Sequence, residues 1–301
     1  MWLLLLACLN DQEEATAVTL DDACGTSDYG DDNASSDAKA ALDRTNCYRN
    51  LLGLNPGLLH PDLDEAAQSH ADYMSRNNTV THQQTAGTGG FTGEWVWDRF
   101  EAAGYPIQNG HSWAEVVAYG YDDPADAIDG WVETVYHRIP YTTPDWRELG
   151  YGQSGVYSAM GFVTHYPAQQ ATAVLYPVEG QLDVPPTFQS DEEWPDPAPD
   201  HSLVGMPITV TVGAVEAINS QQNPYQLVLN EASLSGPDGD LEFLALEPDN
   251  DSWLFNTIAL VPVEPLQPGS RYEGMLAISW IGGDALLTVD FTTRQEEEEE
   301  R

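Results

Sequence analysis

Apolar and small residues at Ala41, Leu42, Thr45, Tyr48 and Leu52 recur at helical spacing, which predicts an amphipathic helix over 38–54 with Asp37 as its N-cap and Gly53 at its end. A turn at Asn55-Pro56-Gly57 separates it from a second predicted helix over 61–76, whose inward face carries Leu63, Ala66, Ala67, His70, Ala71 and Met74. On that apolar face His70 reads as a packed structural imidazole rather than a ligand. The loop 77–92, rich in Thr, Gly and Gln, gives way to a helix over 94–103 that Gly104 stops. Asp122-Asp123-Pro124 opens the next helix, which turns Ala127, Ile128 and Trp131 inward and is expected to run on to His137.

From 147 the period changes. Alternation and β-prone residues predict strands at 148–151, 155–164 and 171–175, so helices surround a small antiparallel sheet and the first part of the chain is α+β. The stretch 178–200 holds five prolines among acidic residues and reads as an extended linker, or a strap laid along the first domain. Beyond it, strands are predicted at 207–212, 225–229, 241–245, 258–261, 272–280 and 285–291. Turns such as Gly236-Pro237-Asp238-Gly239 separate them and no helix intervenes, which argues for an all-β sandwich over 201–294, followed by an acidic tail over 295–301.

The 301 residues carry a formal net charge of −39, and Lys39 is the only lysine. Nucleic acid would be repelled by such a surface, as would an anionic membrane. Met1 to Cys8 form an apolar run too short to span a bilayer and without a basic flank. Leu5-Leu6-Ala7-Cys8 resembles the bacterial lipobox, which implies lipidation at Cys8 and an exported extracellular or cell-envelope lipoprotein held to the membrane only by its anchor. On this reading 1–37 comprise the remnant of an export signal, beginning upstream of Met1, and an acidic tether; the rival is an accidental match in a leucine-rich run. With Cys8 assigned to a lipid, Cys24 and Cys47 form an even pair that an oxidising compartment would join, the alternative being two free thiols.

The richest chemistry lies in Trp131-Val132-Glu133-Thr134-Val135-Tyr136-His137-Arg138, where helical spacing would place Glu133 and His137 on one face. Glu115 offers a second carboxylate upstream and His82 a second imidazole, with His111 its rival. The order His82, Asp98-Arg99-Phe100-Glu101-Ala102-Ala103-Gly104-Tyr105, Glu115, Trp131 to Arg138, and Leu149-Gly150-Tyr151-Gly152 resembles the bacterial branch of the CAP superfamily, the cysteine-rich secretory, antigen 5 and pathogenesis-related-1 proteins. Two departures stand out: Val116 replaces an asparagine usual after the glutamate, and Thr134 stands where a serine or a glutamate is usual.

The resemblance implies a CAP-type α-β-α sandwich over 38–177 and favours His82 over His111. It implies a cleft lined by His82, Glu115 and His137, to which helical spacing alone adds Glu133, that binds a divalent metal, Zn²⁺ before others, or a small ligand, with a lipid or a cell-surface partner as further candidates. Pro265-Leu266-Gln267-Pro268-Gly269-Ser270-Arg271-Tyr272 resembles bacterial Ig-like modules and names the second sandwich accordingly. The expected function is binding rather than catalysis. One alternative is metal-assisted hydrolysis with Glu115 or Glu133 as general base, although no HExxH is present and only Ser112 and Thr134 lie near enough in sequence to serve as nucleophiles. Another is surface adhesion or scaffolding through the Ig-like module.

Overall fold

The protein, seen as a computed structural model, is described over residues 16–107, 111–165, 172–213 and 223–295. The lipobox with Cys8, the side chain of His111 and the tail from 296 onward lie outside the described residues.

The first part holds α1 (Ser36–Leu51), β1 (Leu58–Leu59), α2 (Pro61–Asn77), α3 (Val96–Ala103), β2 (His111–Tyr119), α4 (Pro124–Val132), α5 (Ile139–Thr142), β3 (Trp146–Ser154) and β4 (Tyr157–His165). Its strands form one sheet in the order β1-β3-β4-β2. Because side chains alternate across a strand, β4 reveals the layers. Tyr157, Ala159 and Val163 join the clusters of α2 and α3, whereas Met160 and Phe162 join Leu42 and Tyr48 of α1 and Ile128 of α4. The sheet is therefore the middle of three layers.

Two glycines of β3 set the closeness of one layer. A Cβ on Gly150 would stand 2.1 Å from the Leu63 carbonyl carbon, and one on Gly152 would stand 2.2 Å from Gln68 Cα. No side chain fits there, so the backbone of α2 lies directly on the strand. On the other face α1 anchors its neighbours through two arginines, Arg44, which is partly exposed, and Arg49, which is buried. Arg44 grips Asp129 of α4 with Nε and Nη2 at 2.6 and 2.8 Å. Arg49 donates to the carbonyls of Asn55, Tyr141, Thr143, Pro144 and Trp146, and burial lowers its pKa to about 10, which leaves it charged near neutrality.

Several ends differ from the sequence pattern. Ser35 rather than Asp37 caps α1, its hydroxyl accepting from Ala38 N at 3.1 Å. α4 begins at Pro124 as the pattern predicts but ends at Val132, with Glu133 as its C-cap. The helical register expected between Glu133 and His137 is thus broken. The described part of the acidic leader is not the loose tether its composition predicts. Val18 bridges to Gln181, Leu59 N donates to Tyr29 O at 2.9 Å, and a disulfide joins Cys24 to Cys47 of α1. A covalent link and backbone pairing supply the ordering that an acidic composition alone does not.

The second part comprises β5 (Thr172–Tyr176), β6 (Gln181–Val184), β7 (Thr187–Gln189), β8 (Leu203–Gly205), β9 (Ile208–Gly213), β10 (Val228–Gly236), β11 (Gly239–Asp240), β12 (Phe243–Leu246), β13 (Thr257–Pro262), β14 (Arg271–Trp280) and β15 (Gly283–Thr293). Two sheets, ordered β11-β10-β14-β15-β6 and β12-β13-β9-β5, share a core that includes Leu276 and Phe291 from one and Val210 and Ile258 from the other. β5 does not complete the first sheet, as alternation predicts. β4 already has β3 on one side and β2 on the other, so the strand that follows it pairs with β9 instead.

Nor is 178–200 an extended spacer. It contributes β6 and β7 and buries Phe188, Ser190, Glu193 and Ala198, and its apolar side chains pack with Val135 against Ala259 and Val261 of β13. Arg138 completes the joint: it donates to the Pro207 carbonyl at 2.7 Å and to Thr209 Oγ1 at 3.2 Å, and it lies 4.5 Å from the Tyr176 ring centroid.

Candidate functional site

β2 carries Glu115 into the space between its sheet and the loop before α3, where the side chain is 6 % exposed. Glu115 Oε2 lies 3.0 Å from His82 Nδ1 and 3.8 Å from His70 Nε2, and Arg99 Nη2 donates to Oε1. Burial alone would raise the Glu115 pKa, yet the His82 hydrogen bond and the Arg99 guanidinium outweigh it and hold the carboxyl at about 2. His70 is fully buried between the Thr81 carbonyl, 2.8 Å from Nε2, and the Gln84 amide, 2.9 Å from Nδ1. Burial lowers its pKa to about 4, so it is the neutral imidazole that donates through Nε2 and accepts through Nδ1. Arg99 also donates to the His82 and Glu94 carbonyls, which fastens the loop to α3.

His137 belongs to a second cluster. The turn after α4 points the backbone N–H groups of Val135, Tyr136 and His137 at one carboxylate, that of Glu193, at 2.8, 2.7 and 3.1 Å. His137 Nδ1 lies 3.0 Å from the same Oε1. Nothing near Glu193 in sequence marks it out, for it sits in an acidic proline-rich run that reads as solvated. Glu133, one turn earlier, lies 3.8 Å from Arg294 Nη1 at the far end of the chain. Burial raises its pKa, opposed by Arg294.

His82, Glu133 and His137 line one cleft of about 1240 Å³, whereas Glu115 lies behind His82 and outside that lining. The walls come from both parts of the chain: Trp95, Tyr119, Tyr121 and Trp131 on one side, Phe188, Gln189, Trp194, Trp253 and Arg294 on the other. The four expected site residues therefore do not form one ligand set. Among the described residues no group of three or more His, Cys, Asp and Glu side chains could hold a metal ion. Glu115 is held by Arg99 and His82, and the carboxylates of Glu115 and Glu193 face Nδ1 of His82 and of His137, which leaves the Nε2 of each imidazole outside those contacts.

With this geometry in view, residues 42–166 match the model of the cysteine-rich secretory protein family, CAP. The match covers that segment and not the rest of the chain. A curated relative, the uncharacterized membrane protein YlbC of Bacillus subtilis (strain 168), is 28% identical over 129 residues, which are 42% of this chain and 34% of that protein. The chain thus spans about a third of that relative's length. Among solved structures, an extracellular protein containing a SCP domain from Bacillus anthracis str. Ames is 21% identical, with a TM-score of 0.38 over 43% of this chain and 40% of the other. A DUF4426 family protein from Pseudomonas aeruginosa PAO1 is 13% identical, with a TM-score of 0.25 over 42% of this chain and 91% of the other. Among the described residues no helix is long and apolar enough to cross a membrane.

Proposed function

We propose that this chain is an exported binding protein in which an Ig-like two-sheet unit walls the CAP cleft, and that the cleft takes a small organic ligand. The observation that carries the reading is the cleft lining, in which His82, Glu133 and His137 stand among tryptophans and tyrosines contributed by both parts. A few polar groups converging in an aromatic-walled hollow make the usual form of an organic ligand site. Export is supported by the Cys24–Cys47 disulfide, which suits an oxidising compartment, and by the lipobox-like stretch before Cys8.

Hydrolysis is the weaker reading. A carboxylate held at about 2, as Glu115 is, is a poor proton acceptor near neutral pH, so of the two carboxylates Glu133, which lines the cleft, is the better placed general base. Thermal unfolding of the purified chain against soluble sugars, amino acids and fatty acids tests the proposal. At least one class should raise the melting temperature, and His82→Ala should remove the shift, since the His82 side chain is 42 % exposed and its loss spares the core. No shift that depends on His82 would overturn the reading. Ester or peptide turnover lost in Glu133→Gln would replace binding with hydrolysis.

A further inference from the structure

The rim of the cleft is unusually aromatic. Trp95 (38 %), Tyr119 (60 %), Trp194 (74 %) and Trp253 (50 %) all line it while leaving much of their surface in solvent. Contiguous apolar surface of that kind marks an interaction site rather than a packing accident. The rings are also ordered. Trp194 and Trp253 meet 5.5 Å apart at 67°, which makes a corner of two faces. On the opposite wall Trp95 stacks on Trp97 at 5.6 Å, and Trp97 meets Trp113 at 5.8 Å, so the aromatic surface continues from the cleft onto the outside of the first part.

We infer that this surface is a platform for a neutral β-linked glycan, whose pyranose rings stack on the tryptophans of the two walls; the inference rests on reading the cleft as a ligand site. Three observations select this ligand. The chain carries a formal charge of −39, and Glu133 and Glu192 line the cleft, so a phosphorylated, sulfated or uronic polymer would be repelled. Amide and hydroxyl groups of Gln83, Thr187 and Gln189 also line the cleft and can donate to and accept from sugar hydroxyls, while Thr134 Oγ1, which donates to the Trp131 carbonyl, can accept. Pyranoses present flat C–H faces edged by hydroxyls, and this alternation matches the lining, whereas an acyl chain calls for a closed apolar tube. The volume, about 1240 Å³, exceeds the roughly 300–1,000 Å³ typical of a site for one drug-sized molecule and suits several linked rings.

The test is titration of the full chain with cellohexaose and with chitohexaose, followed by tryptophan fluorescence and calorimetry, with decaproline as the rival extended ligand. One oligosaccharide should give a saturable response. Trp194→Ala and Trp95→Ala should each weaken it about tenfold, the scale of one stacked ring. Leu286→Ala, at a 69 % exposed position on β15 outside the cleft lining, should bind as the parent does. No saturable response to either oligosaccharide, a response unchanged in both tryptophan variants, or binding of decaproline alone would overturn the inference. If oligosaccharides fail while another class in the thermal panel gives a His82-dependent shift, the glycan assignment falls and the binding cleft stands. If neither responds, both fall.

Discussion

Glu193 reaches 3.0 Å from His137 across 56 residues of chain, and its carboxylate also closes the three backbone N–H groups that follow α4. One side chain thus joins a CAP-segment turn, a cleft imidazole and the strap that follows the CAP segment. Glu193→Gln keeps the shape but turns an N–H₂ group towards buried donors. Urea unfolding should show a loss of about 1–3 kcal/mol, the scale for leaving a buried donor unsatisfied. An unchanged midpoint would mean that the carboxylate contributes little.

His70 makes stability depend on pH in a defined window. The unfolded chain takes up the imidazole proton near the ordinary value of about 6.5, whereas burial makes the folded chain refuse it until about 4. Stability should therefore fall as pH is lowered through that interval, by roughly 3 kcal/mol in all from this group. His70→Ala should be less stable throughout but flatter between pH 6.5 and 4. Equal slopes for the two proteins would assign the acid sensitivity elsewhere.

Gly152→Ala should be far costlier than a surface change, because the added carbon would overlap the α2 backbone at Gln68. A loss of about 1–3 kcal/mol or more is expected, as for other overpacked sites, with the unfolding midpoint as readout. A neutral result would show that α2 can lift from β3.

Reduction of the Cys24–Cys47 bond, which spans 23 residues, should cost about 3 kcal/mol, the loop-closure value for a ring of that size. Intact mass without and with reductant gives the bonded state, and parallel melts give the cost. Two free thiols in protein taken from the exported fraction would remove the support for an oxidising compartment.

Much of the helical layer was legible because α1, α2 and α3 bury apolar faces whose spacing is local. The end of α4 was not, since the amides of Val135 to His137 are satisfied by Glu193, more than fifty residues away. In β9 the alternation Ile208-Thr209-Val210-Thr211-Val212 identifies a strand but suggests a solvated threonine face. Thr209 and Thr211 are instead buried against Arg138, Thr142 and Thr257, because the first part docks there. His82 and Glu115 could be brought together only through the order of family motifs, and that order does not reveal that Arg99 draws Glu115 behind the cleft wall. Trp194, a large ring with no evident purpose in an acidic linker, is a signal that the sequence does carry, as is Trp253.

The parallel pairing of β6 with β15 has a consequence for synthesis. β5 finds β9 soon after both emerge, but β6 must wait for the last strand of the chain before its sheet edge is closed. During that interval the strap and its Trp194 have only half a wall to rest on, and an open strand edge is exposed to neighbouring nascent chains. A gene fragment stopped at 177 would end before β6 and leave β5 without β9, so its product should aggregate through β5 rather than behave as a free-standing domain.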